Sequence, residues 1–156
     1  MYNLRVIDIN TRTPSLIEEL LKLWENSVRE THLFLSDDEI KNIKQYVPQA
    51  IKNIPILIIA ENIESDIVGF MGIDDTRLKM LFIATSMRGK GIGKQLLQYG
   101  IEHYAINSLT VNEQNPEAQG FYEHMGFEVY QRTDLDEQGN PYPLLYMKNK
   151  KNTISI

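Results

Sequence analysis

Apolar positions along the chain switch between two periods, and each switch marks an element. Leu4 to Ile9 alternates apolar with polar residues, the period of a half-buried strand. Thr13-Pro14-Ser15 then reads as a helix start. Leu16, Ile17, Leu20, Leu21, Trp24 and Val28 follow at helical spacing and predict one apolar face, with Trp24 as a core residue. Ser36 followed by Glu39 has the spacing of a capping box, opening a second helix that runs toward Asn53 with a kink at Pro48. Ile54 to Glu61, Ile67 to Ile73 and Leu78 to Ile83 are short apolar runs rich in β-branched residues, predicted as consecutive strands. A helix over Ile92 to Tyr104, a strand over Ser108 to Asn112 and a helix opened by Asn115-Pro116 come next. Gly126 sits where that helix should end in the left-handed conformation. Phe127 to Arg132 and Tyr142 to Met147, joined by a turn at Asp136 to Asn140, complete the strands.

Consecutive strands in the middle imply antiparallel hairpins, while the strand–helix–strand unit after Leu78 implies one parallel pair. The expected fold is a mixed α/β sheet in one layered domain over Leu4 to Lys148, and the tail Asn149 to Ile156 is expected to be loose. A chain of 156 residues is long enough to bury a full core as a single domain.

Composition narrows the chemistry. The chain has no cysteine, which removes disulfides and thiolate chemistry and fits a cytoplasmic setting. Its longest apolar run, Ile56 to Ala60, is too short to span a membrane, and no signal-peptide pattern opens the sequence. A net charge of −5 argues against general nucleic-acid binding. His103 and His124 have no third ligand in the pattern, so no metal is expected.

Against that acidic background, Arg88-Gly89-Lys90-Gly91-Ile92-Gly93-Lys94 stands out between a strand and a helix. Alternating glycines let a backbone bend tightly and bring N–H groups close to a ligand. Arg88, Lys90 and Lys94 add positive charge at a helix N-terminus, which is an anion site. The spacing is neither that of a nucleotide P-loop nor that of a dinucleotide fingerprint.

About twenty residues downstream, Asn115-Pro116-Glu117-Ala118-Gln119-Gly120-Phe121-Tyr122-Glu123-His124-Met125-Gly126-Phe127 supplies a second motif. The first segment resembles the R/Q-x-x-G-x-G pyrophosphate loop of the GNAT acetyltransferase superfamily. The second resembles its N-x-x-A-x-x-F-Y-x-x-x-G-F segment, and the order of elements is similar too. Trp24 to Leu35, Val111 to Asn115 and Gly139 to Leu145 resemble the small bacterial YjaB-type branch.

The resemblance implies a GNAT-like, mostly antiparallel sheet flanked by helices, and an acetyl-CoA-dependent N-acetyltransferase. The acceptor would be a primary amine on a protein lysine, an N-terminus or a small molecule, attacking directly in a ternary complex. By resemblance, Leu81, Phe82 and Ile83 run beside the pantetheine. Arg88, Gly89, Lys90, Gly91, Ile92, Gly93 and Lys94 cradle the pyrophosphate, and Asn115 contacts the coenzyme. Tyr122 also borders the coenzyme and protonates the departing thiolate.

A lysine amine with pKa ~10.4 is neutral only about once in 2,500 molecules at pH 7, so the site must remove its proton. Where relatives place a glutamate, this chain has Arg77 on the central strand and Thr110 on the next. Glu113 and His32 are the candidate replacements, beside a water chain; a loop carboxylate and a structural histidine are their plain alternatives. His32, Phe34 and Tyr146 are candidate acceptor-groove residues, with packing the alternative for the two aromatics. A monomer and a homodimer are both compatible with the sequence. The rival from another class is a non-catalytic coenzyme A-binding sensor or partner module on the same fold. A third reading, an unrelated phosphate-binding protein, survives only if both motifs are coincidental.

Overall fold

A computed structural model describes residues 2–150. Among them seven strands form one sheet in the order β1-β2-β3-β4-β5-β7-β6. The strands are β1 (Asn3–Val6), β2 (Ile56–Glu61), β3 (Ile67–Asp74), β4 (Arg77–Ile83), β5 (Ser108–Asn112), β6 (Phe127–Thr133) and β7 (Leu144–Asn149). Five α-helices flank it: α1 (Pro14–Thr31), α2 (Asp37–Lys44), α3 (Val47–Asn53), α4 (Ile92–Tyr104) and α5 (Pro116–His124). Every strand pair is antiparallel except β4 with β5, the pair that α4 crosses over to join.

The near-continuous apolar runs of β2 and β3 have a simple cause: both faces of those strands are covered. Leu57, Ile59 and Phe70 pack under α1–α3 with Leu20, Trp24, Val28 and Ile51. Ile58, Met71 and Ile73 pack on the opposite face with Leu96 and Leu97 of α4. Thr13 caps α1, its side chain accepting from the Leu16 amide at 3.1 Å. The capping box at α2 is present in both directions, Ser36 N–H to Glu39 Oε1 at 2.8 Å and Glu39 N–H to Ser36 Oγ at 3.1 Å.

Several boundaries differ from expectation for identifiable reasons. β1 stops at Val6 because the Asp8 carboxylate accepts from the Asn10 amide at 2.8 Å and starts a 3-10 turn over Ile9–Thr11. The helix expected from Ser36 to Asn53 is two helices, not one kinked one. Proline lacks an N–H and crowds the carbonyl four residues back. For Pro48 that residue is Lys44, where α2 ends. β2 begins after Pro55 and β7 after Pro143, because neither proline can donate to a ladder. Asn149, expected in the loose tail, closes β7 and is buried, and the Lys150 amide donates to the Gly126 carbonyl at 3.0 Å. The rest of that tail, 151–156, lies outside the described residues.

Candidate active site

β4 and β5 pair for only two residues, Arg77 with Ser108 and Leu78 with Leu109. Beyond them the strands diverge, and the free half of β4 faces a gap. The Ala84 amide donates to the Val68 carbonyl at 2.9 Å, which extends the β3–β4 register by one pair. Antiparallel ladders alternate, so Phe82 spends its backbone groups on β3, while Leu81 and Ile83 turn theirs toward the gap. The run Leu81 to Ile83 therefore borders the gap, with Leu81 and Ile83 as the residues offering hydrogen bonds.

The chain leaves β4 through a 3-10 turn at Thr85–Met87 and enters the glycine loop. Gly89 and Gly91 have φ of +77° and +83°, conformations that L side chains rarely adopt. Gly91 is the N-cap of α4 and offers no side-chain acceptor. The first amides of α4 are thus without a side-chain cap, at the positive end of the helix dipole. A Cβ at Gly89 or Gly91 would meet nothing within 4 Å, so the space before these amides is open. Loop shape, uncapped amides and the nearby Arg88 and Lys94 together suit a pyrophosphate.

A cavity of about 420 Å³ occupies the gap. β4 supplies Leu81, Phe82 and Ile83 to its wall; the loop and the start of α4 supply Arg88, Gly89, Gly91, Ile92, Gly93 and Lys94. Asn115, Tyr122 and His32 also line it. Lys90 sits at the exposed tip of the loop, outside the lining. Glu113, Phe34 and Tyr146 do not line it either.

Asn115 has two ends to use. Its Oδ1 accepts from the Ala118 amide at 3.4 Å and caps α5, which leaves the Nδ2 donors for a ligand. Tyr122 packs edge-on against Phe121 and Phe127, with ring centroids 5.2 and 6.3 Å away. Burial raises the pKa of its hydroxyl above the ordinary 10.0, so the group stays protonated at neutral pH.

The two candidate bases differ sharply. Glu113 is held by Arg132 in a two-pronged ion pair of 2.6 and 3.0 Å. Hydrogen bonds from Arg132 hold its pKa below the ordinary carboxylate value, which makes it a poor proton acceptor. His32 caps the C-terminus of α1 and lines the cavity, and burial pushes its pKa below 6.5. At neutral pH it is an uncharged imidazole, the form that takes up a proton. Its Nδ1 lies 2.7 Å from Thr31 Oγ1.

The aromatic candidates are set back. Phe34 packs on His32 and on Tyr142, centroids 5.4 and 5.6 Å apart, and so joins the α1–α2 connection to the loop before β7. Tyr146 pairs with Thr110 across β5–β7, under the Arg77 guanidinium at 5.9 Å. Arg77 also lies 3.5 Å from Glu137, and neither Arg77 nor Thr110 carries a carboxylate.

Sequence reasoning missed Ser27 and Thr31 of α1, and the wall that α5 supplies through Glu117, Ala118, Phe121 and Met125. A signal for the first pair exists: two hydroxyl residues four apart on the apolar side of α1, Ser27 being buried. Arg88 spans the cavity mouth, 3.7 Å from Glu30 on α1 and 3.4 Å from Glu117 on α5. Among the described residues no group of three or more His, Cys, Asp or Glu side chains is placed to hold a metal ion. No helix among them is long and apolar enough to cross a membrane.

Comparison with known proteins places these features in context. Residues 31–143 match the acetyltransferase (GNAT) domain family. The chain is 38% identical over 128 residues to the peptidyl-lysine N-acetyltransferase YjaB of Salmonella typhimurium, covering 82% of this chain and 88% of that protein. The solution structure of apo-form YjaB from Escherichia coli superposes with a TM-score of 0.83 at 33% identity, covering 96% of this chain and 98% of that one. A PaiA N-acetyltransferase from Thermoplasma acidophilum, solved in complex with coenzyme A, shares the fold with a TM-score of 0.70 at 21% identity, covering 95% and 99% of the two chains.

Proposed function

Because the chain belongs to the GNAT acetyltransferase family and is therefore an acyltransferase, we propose that it moves the acetyl group of acetyl-CoA to the side-chain amine of a protein lysine, by direct attack in a ternary complex. The observation that carries this reading is the convergence, on one cavity, of the open glycine loop, the protonated Tyr122 hydroxyl and the neutral His32 ring. The peptidyl-lysine acetyltransferase named at 38% identity supports lysine as the acceptor. The net charge of −5 favours a cationic acceptor.

Acetyl-CoA is the co-substrate and supplies an activated acyl thioester. Gly89, Gly91 and the first amides of α4 hold its pyrophosphate, with Arg88 and Lys94 as counter-charges. The outward backbone groups of Leu81 and Ile83 pair with the pantetheine and orient the thioester. One of their N–H groups serves the acetyl oxygen as negative charge develops there. After the ammonium has lost one proton to water, the neutral amine attacks the thioester carbonyl. His32 Nε2 accepts the second proton from nitrogen as the C–N bond forms, and the Tyr122 hydroxyl donates one to sulfur as the C–S bond breaks. Proton exchange with solvent resets both groups. Steps of this type each contribute roughly 10²–10⁴-fold. Glu113 has no part in proton transfer, and Phe34 acts by packing His32 in place. No observation specifically favours the non-catalytic sensor.

Thiol release from acetyl-CoA tests the proposal, free of background because the protein has no cysteine. A lysine peptide with a blocked N-terminus should support release, and the same peptide with norleucine for lysine should not. Release with only a free N-terminus or a small amine would refute the lysine assignment. Coenzyme binding without release on any amine would refute the transfer itself.

A further inference from the structure

We propose that Thr31 is a positioning residue that fixes the His32 tautomer, protonated on Nδ1, so that Nε2 keeps the lone pair on a ring that lines the cavity; this rests on the reading of His32 as the base. Two short contacts meet at the Thr31 hydroxyl. Its Oγ1 lies 2.8 Å from the Ser27 carbonyl oxygen, four residues back along α1, and 2.7 Å from His32 Nδ1. Each contact needs a proton between its atoms, since two lone pairs at such distances repel. The carbonyl has no proton, so the one between Oγ1 and Ser27 comes from Thr31. A hydroxyl has only one. The proton between Oγ1 and Nδ1 therefore belongs to the imidazole.

The remaining nitrogen follows. A neutral imidazole protonated on Nδ1 has its lone pair on Nε2. Nε2 has no hydrogen-bond partner among the described residues, and the ring lines the cavity. When Nε2 accepts a proton from the amine, the Nδ1–H···Oγ–H···O=C chain stays intact and stabilises the new positive charge. The backbone holds the other coordinates of this unit. The His32 amide donates to the Val28 carbonyl at 2.8 Å, and Phe34 packs on the ring. A valine at position 31 keeps the shape of the side chain and removes the acceptor; a serine keeps the acceptor.

The experiment reads the tautomer first, by nitrogen-15 NMR of histidine-labelled full-length protein, His32 being assigned by its loss in His32→Gln. Wild type should show a protonated Nδ1 and an unprotonated Nε2. Thr31→Val should shift the population toward the Nε2–H form, and Thr31→Ser should not. In parallel, Thr31→Val should lower kcat/KM roughly tenfold, the worth of one hydrogen bond to a charged group, with KM for acetyl-CoA unchanged. Thr31→Ser should stay within about twofold, and Thr31→Val should cost nothing further in a His32→Gln background. A protonated Nε2 in the wild type overturns the inference whatever the kinetics. The expected tautomer with a fully active His32→Gln variant overturns the base reading instead, and with it the catalytic value of Thr31. An equal loss from Thr31→Ser and Thr31→Val would make Thr31 merely structural.

Discussion

Replacing Gly91 with valine separates two costs that are usually confounded. Gly91 holds φ +83°, ψ 7° as the N-cap of α4. An L side chain in that conformation costs roughly 1–2 kcal/mol. Beyond its chain neighbours, no described atom lies within 4 Å of the Cβ that would be added, so the Cβ itself meets no packed neighbour. The melting temperature should fall by only a few degrees, about 2–4 °C per kcal/mol for a chain of this size. Coenzyme binding should suffer far more. A β-branched side chain on the loop should block the close backbone approach that the glycine allows and so cost charge-assisted hydrogen bonds worth roughly 1.5–3 kcal/mol each. Loss of even two implies a drop of about 100-fold or more in affinity. Gly139 provides the control: it has the same φ of +83° and equally open surroundings, in the β6–β7 turn and outside the cavity lining. Gly139→Val should show the same loss of melting temperature and unchanged coenzyme affinity. Calorimetric titration with coenzyme A, beside thermal melts of all three proteins, makes the comparison. A folded Gly91→Val protein with affinity within tenfold of wild type would refute the cradle.

Tyr122→Phe should lower kcat by 10²-fold or more, with coenzyme Kd within about threefold, because the hydroxyl acts on the leaving sulfur; steady-state kinetics beside titration checks this, and an unchanged single-turnover rate would exclude the acid role. The pH profile of kcat/KM should carry an acid limb below 6.5: burial disfavours the charged imidazole, so His32 regains its lone pair at a lower pH than free histidine and activity rises through that lowered pKa. The limb should vanish in His32→Gln, and a limb that persists there belongs to another group. Arg12→Met should destabilise the fold by about 2–4 kcal/mol in urea titrations at unchanged m. The buried guanidinium donates to the carbonyls of Ile51 at 2.9 Å and Ile54 at 2.6 Å, and both acceptors would be left unsatisfied. A loss below about 1 kcal/mol would show that water replaces the arginine there.

What the sequence made legible is what local pattern encodes. The apolar, β-branched runs of β2 and β3, helical spacing in α1 and the Ser36–Glu39 box each translate into the expected element, because each depends on residues a few positions apart. The glycine loop was legible for the same reason: positive φ is a local demand, and few residues other than glycine meet it cheaply. The partners of long-range side chains were not. Nothing near Glu113 reveals that Arg132 will claim it from across the β5–β6 connection. Arg12 likewise has no local sign of the carbonyls it will meet at the end of α3, some forty positions away. Pro48 announced a disturbance but not its size, since whether a helix kinks or breaks depends on what else the flanking segments can pack against. Ser27 and Thr31 escaped notice because they interrupt an apolar stripe that otherwise reads as core.

The cavity itself traces to one irregularity in the sheet. On β3–β4 the register slips between Gly72, opposite Met80, and Ile73, opposite Leu78, so Lys79 is left without a partner. An extra residue of this kind increases local twist and bends its strand. It falls immediately after Leu78, the last residue of β4 that pairs with β5. β5 keeps its register with β7 through Asn112, so the twist separates β4 from β5 instead of carrying β5 along. Glycine on β3 makes the bend possible: a Cβ at Gly72 would lie 3.2 Å from Met80 Sδ, and one at Gly69 would lie 3.0 Å from Ile83 Cδ1. The same pleat that opens the gap turns the backbone groups of Leu81 and Ile83 into it. A bulge at Lys79 and the glycines of β3 beyond it are thus the structural cause of a cavity whose other walls come from α1, the glycine loop and α5.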